Sequence, residues 1–158
     1  IGTEVDVQAP RIIALAKPIP HEKCRITFKF NYVRNGFYIG FTNSTANIRN
    51  YKQAPGQGDN REHSVGLFIC NVIYVYGKEY PEWGSKPIYA ESLKGWMKSL
   101  ALPKNRFEVV FDPVKQEMIL YLNQVELITI KHTYHDIVPI LALYNPADEL
   151  EIIDLGVD

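Results

Sequence analysis

Two cysteines in 158 residues are too few for a disulfide framework. Cys24 and Cys70 both sit in apolar, strand-like runs where a thiol packs as a small hydrophobe, so both are read as reduced core residues. An excess of one charge is missing too. Seventeen basic residues stand against eighteen acidic ones, a net charge of -1, which leaves no long-range field to draw phosphate backbones or anionic lipid. Nucleic acid is not an expected partner. No apolar run approaches the length of a membrane span, and no charged stretch with an apolar segment behind it opens the chain before or at Ile1. Membrane insertion is not expected. The chain reads as a soluble piece of a longer or processed protein, cytoplasmic or exported without a leader.

The patterns that carry catalysis are also scarce. A nucleophilic serine sits on a sharp elbow between small residues, and phosphate-binding loops are glycine-rich; neither pattern occurs. His132, His135 and Asp136 form a His-Thr-Tyr-His-Asp cluster with no firm third ligand, which reads as a polar turn rather than a metal site. Asp148, Glu149 and Glu151 would suit a pair of acid and base carboxylates, but they flank the last strand, where alternation turns them to solvent. No catalytic residue, metal or cofactor is expected.

What is present favours strands. Hydrophobic residues at 46% and charged residues at 22% are ordinary for a globular chain, whereas 12% aromatic residues suit a pleated, half-buried surface. Cys24, Ile26, Phe28, Phe30 and Tyr32 alternate with Arg25, Thr27, Lys29 and Asn31, which predicts a strand with one wet face. Arg34-Asn35-Gly36 then predicts a hairpin into a partner strand from Phe37 to Thr42. Residues 43 to 63 read as a long loop, broken by Pro55-Gly56 and carrying the glycosylation-like triplet Asn43-Ser44-Thr45. Ser64 to Cys70 and Val72 to Tyr76 predict a second hairpin. Helical spacing is confined to Ser92–Leu102, one or two turns at most. Five further strands, from Arg106, Glu117, Val125, Val138 and Leu150, are separated by short turns and read as a meander. Short strands without crossover helices predict an all-β fold, a two-sheet antiparallel sandwich, as one domain over 1–158.

The order of pieces resembles a galectin carbohydrate-recognition domain, a jelly-roll sandwich. The resemblance rests on Pro10 and Pro18-Ile19-Pro20 before the Cys24 strand, on Phe37-Tyr38-Ile39-Gly40-Phe41, on Trp83-Gly84, and on Asn123, His132 and Asp148. It implies a non-catalytic module binding a glycan or glycoconjugate. Of the polar residues that grip galactose in that family, the site positions here hold Phe68, Cys70, Tyr76 and Lys86, and Trp83 alone is kept as a stacking platform. The implied galactoside site is degraded and its specificity altered, because stacking without convergent hydrogen bonds does not orient a sugar.

The chain also resembles the SPRY domain, a related sandwich that binds peptides through end loops. Here the carriers are Ser64-Val65-Gly66-Leu67, Ile73-Tyr74-Val75-Tyr76-Gly77-Lys78, Phe111-Asp112-Pro113 through Leu122-Asn123, and Pro139-Ile140-Leu141-Ala142-Leu143-Tyr144. Two departures stand against it: the early strand lacks the usual tryptophan, and Gln124 replaces a glycine. This resemblance implies a protein or peptide partner held by Arg49, Tyr51, Tyr144 and Asn145. Either kind of sandwich has edge strands through which a homodimer could form.

Overall fold

A computed structural model describes residues 3–6, 11–15, 22–43 and 54–157. Its strands are β1 (Thr3–Asp6), β2 (Arg11–Leu15), β3 (Cys24–Tyr32), β4 (Phe37–Asn43), β5 (Ser64–Ile69), β6 (Ile73–Tyr76), β7 (Phe107–Asp112), β8 (Glu117–Leu122), β9 (Val125–Lys131), β10 (Ile137–Leu143) and β11 (Glu149–Val157). They form two antiparallel sheets. One runs in the order β1-β2-β10-β4-β5-β6, the other β11-β3-β7-β8-β9. The fold is the expected all-β sandwich of the jelly-roll kind. Single 3-10 turns at Gly58–Asn60, Glu91–Leu93 and Leu102–Lys104 are the helical pieces among the described residues. No helix of the described residues is long and apolar enough to cross a membrane.

Alternation puts one face of each sheet into a shared core. Phe28, Phe30 and Phe107 from the five-stranded sheet meet Phe37 from the six-stranded sheet, and Trp96 closes over them from the connection between β6 and β7. The Trp96 indole N–H donates to the Cys70 carbonyl, so the one polar atom of that ring is satisfied. Cys24 is buried in the core, whereas Cys70 is half-buried just after β5 rather than a core residue.

The first predicted hairpin does not form. β3 pairs with β7 and β11, whereas β4 lies between β10 and β5 in the opposite sheet, so residues 33–36 cross from one sheet to the other. Six of the seven β4 residues are buried, as befits a central strand covered on both faces, and that burial is incompatible with an edge hairpin having one wet face. Gly36 makes the crossing feasible: its φ is +117°, and a Cβ there would stand 2.3 Å from the Ile69 carbonyl oxygen.

The second hairpin, β5 with β6, forms as expected. The last five strands are not one meander. β7, β8 and β9 are sequential neighbours, β10 passes to the other sheet between β2 and β4, and β11 returns to pair with β3. Tyr32 also departs from its expected face. The register shifts between Glu149 and Leu150, setting two β3 residues against one of β11, so Tyr32 is exposed and Val33 turns inward. Asp148, expected in solvent, is 4% exposed; its Oδ1 accepts the Arg34 N–H at 3.0 Å and ties the β10–β11 turn to the crossing segment.

Candidate functional site

In β4, Phe37, Ile39 and Phe41 face the core, so period two sends Tyr38 to the outer face of the six-stranded sheet. Tyr38 is nonetheless only 7% exposed. It is paired across strands with Phe68 of β5 and Ala142 of β10, and a second hydrophobic cluster surrounds it: Ala54, Val138, Ile140 and Ala142, with Phe68 and Tyr76 packed alongside. Ring centroids lie 4.7 Å away for Phe68, 5.8 Å for Tyr76 and 5.3 Å for Tyr144. Phe68 in turn stands 6.4 Å from Tyr74. The outer face therefore carries an aromatic strip at the spacing rings prefer.

Residues 54–57 lie across this strip. They come so close because β5 has no side chain at Gly66, where a Cβ would stand 2.1 Å from the Pro55 carbonyl oxygen. The segment brings Gln57, whose amide joins two tyrosines: Nε2 donates to Tyr38 Oη at 2.9 Å, and Oε1 accepts from Tyr144 Oη at 3.1 Å. Burial raises the Tyr38 hydroxyl well above its ordinary value, with Tyr144 and Tyr76 adding to it, and burial also raises that of Tyr144. Both phenols stay protonated at neutral pH. Among the described residues the surface is aromatic and uncharged, with the Tyr38 and Tyr144 hydroxyls joined through Gln57.

The sequence-derived residues distribute unevenly around this strip. Phe68 and Tyr76 are part of it. Trp83 is 79% exposed on the loop after β6, and Gly84 sits so close to the Tyr76 ring that a side chain there would strike it. Trp83 is thus next in sequence to the residue that touches the strip. Lys86 is exposed, beside Ser85, whose Oγ accepts the Val75 N–H and donates to the Lys86 carbonyl. Cys70 is not on the strip; its thiol donates to the Val72 carbonyl at 3.4 Å. Of the residues implied by the SPRY resemblance, Tyr144 joins the strip at 43% exposure. Asn145 is half-buried, and its Oδ1 accepts the Ala147 N–H at 3.0 Å. Arg49 and Tyr51 lie outside the described residues, as do Ser44, Thr45, Pro10 and Pro18-Ile19-Pro20. Phe68 and Tyr76 from the galectin resemblance and Tyr144 from the SPRY resemblance are the members of the two sets that pack on Tyr38.

A second concavity lies between the sheets. Gly77–Tyr80 and Ile130–Tyr134 enclose a cleft of about 160 Å³ floored by Val65 and Ile130, with Lys78 5.5 Å above the Tyr134 ring. His132 lines it, and its Nδ1 accepts the Tyr134 N–H at 3.2 Å. The neutral ring therefore carries its proton on Nε2, a buried atom with no hydrogen-bond partner. Among the described residues, no three His, Cys, Asp or Glu side chains gather closely enough to hold a metal.

Tyr38 and Gln57 escaped the sequence reading. Tyr38 stood inside a strand read for its pattern, and its outward parity was the available signal; Gln57 in a polar loop carried none.

No protein-family profile matches the chain, and no curated protein sequence matches it significantly. Solved structures do. The PSpry domain of TRIM65 superposes with a TM-score of 0.63 at 8% identity, over 90% of this chain and 68% of its own. The SPRY domain of human HERC1 gives 0.59 at 12% identity, over 92% of this chain and 83% of its own. Lectin II from Ulex europaeus gives 0.52 at 10% identity, over 96% and 83%. The chain has the sandwich fold that SPRY domains and this lectin share.

Proposed function

We propose that the chain is a non-catalytic binding module that holds a protein or peptide partner against the aromatic strip. The observation that carries this reading is the chemistry of the strip: Tyr76, Phe68 and Tyr144 surround a buried Tyr38, and the tyrosine hydroxyls nearest its centre are already paired with Gln57. A sugar needs convergent unpaired donors and acceptors, whereas a protein partner gains most from packed, pre-ordered rings. The anchors are Tyr144 and Trp83, with Phe68 and Tyr76 as the bed beneath them and Asn145 beside Tyr144; Arg49 and Tyr51 are further candidates on the SPRY resemblance alone. Cys70 and Lys86 take no part.

A glycan is the second reading, and the exposure of Trp83 favours it: an indole face in solvent suits stacking on a sugar ring. The test is to screen the purified domain against a displayed peptide library and a glycan array, then to titrate the best ligand calorimetrically. Peptide capture should weaken by about tenfold or more for Tyr144→Ala and for Trp83→Ala, with the melting temperature unchanged for the exposed Trp83→Ala and circular dichroism confirming that Tyr144→Ala remains folded. A peptide ligand indifferent to both substitutions would overturn the placement. A glycan hit that depends on Trp83, with no peptide captured, would replace the first reading by the second.

A further inference from the structure

The five-stranded sheet ends on β9, whose outer edge no described strand covers. We propose that this edge is a self-association surface: the β9 strands of two copies pair antiparallel about Thr129 and join their sheets into one.

The other edges are closed or unsuited. β6 is covered by Ile88, which exchanges two backbone hydrogen bonds with Ile73 at 2.8 and 2.9 Å. β11 carries Glu149, Glu151 and Asp154 and two register irregularities, so a second copy would meet like charge on a bent strand. β1 spans only Thr3–Asp6. β9 has neither proline nor glycine, and it carries one charge of each sign, Glu126 and Lys131.

The placement of those charges is the main support. Ile128 and Ile130 stand opposite the core residues Leu120 and Met118, while Thr129 and Lys131 stand opposite Ile119 and Glu117 on the outer face. Strict alternation would put Glu126 on the face away from Lys131. A register shift intervenes between Leu120 and Tyr121: Leu127 is the extra residue, and Glu126 comes to lie opposite Tyr121, on the Lys131 face. A twofold axis through Thr129 then sets Ile128 against Ile130 of the second copy, continuing the core face. It sets the bulged Glu126-Leu127 pair against Lys131 of the second copy, and symmetry makes two such ion pairs. Lys131 has Glu117 at 4.0 Å within its own chain, yet its side chain remains 82% exposed and available.

One strand pair buries little area, so association is weak and is measured by sedimentation equilibrium up to about 1 mM protein. The mass should rise from 18.1 kDa toward twice that value. Lys131→Glu and Glu126→Lys should each weaken association by about tenfold or more, because both symmetric pairs become repulsive. An equal mixture of the two variants should associate again, since every Glu then faces a Lys; circular dichroism confirms that both remain folded. A wild-type mass that stays monomeric, a dimer that survives both single substitutions, or a mixture of the variants that does not associate would each overturn the proposal.

Discussion

His132 shows how much one side chain's setting matters. Burial, and then the neighbouring His135, hold its pKa below the ordinary value of 6.5. As pH falls below 6.5 the unfolded chain takes up this proton before the folded one does, so the contribution is fully present above that value and declines below it. It levels off once the folded ring also titrates. Urea unfolding between pH 7.5 and about 5 should therefore show a loss of stability that His132→Gln flattens; an identical slope in the variant would remove His132 as its source. The sequence reading of this residue as part of a polar turn missed its burial, because the ring packs on Phe41 at 4.5 Å and nothing near it in sequence announces that contact. Asp148 is the same case. Its charge pointed to solvent, and the Arg34 amide from another part of the chain drew it in.

At the scale of elements, the strip depends on how closely residues 54–57 approach β5. Gly66→Ala places a methyl group against the Pro55 carbonyl, so the segment must lift or the strand must shift, at a cost of about 1–3 kcal/mol. Amide hydrogen exchange in 54–63 should rise by more than elsewhere, and Gln57 should lose its hold on Tyr38 and Tyr144. Unchanged protection there would show that the segment is held by other contacts. Strand positions were largely legible in advance, since β3 to β11 coincide closely with the strand-like runs. Pairing was legible only where the connection is short: β5 with β6, and β7 through β9, are local hairpins. The Asn-Gly signal before β4 was misleading because a turn residue specifies a bend but not which sheet the next strand joins.

Across the whole molecule, the aromatic core locks the two sheets together. Phe107 stacks on Phe28 at 5.5 Å, meets Phe37 of the opposite sheet at 5.1 Å and Trp96 at 4.9 Å, so one residue touches both layers and the connection that closes them. Phe107→Ala should cost about 3–5 kcal/mol in urea unfolding, whereas Val114→Ala, on an exposed turn, should cost less than about 0.5 kcal/mol. Comparable losses for the two would contradict a single interlocked core. Composition and period-two alternation determined on their own that the chain is all-β and layered, because strand parity is a local property that burial of one face enforces along each segment. Phe68, Tyr76, Trp83 and Tyr144 were singled out by the family resemblances, not by composition or alternation. The tertiary structure alone decided that Phe68, Tyr76 and Tyr144 surround Tyr38 and that Gln57 bridges two of the hydroxyls. These contacts join β4, β5, β6, the end of β10 and a loop, and the sequence order of a sandwich does not reveal which distant strands share a face.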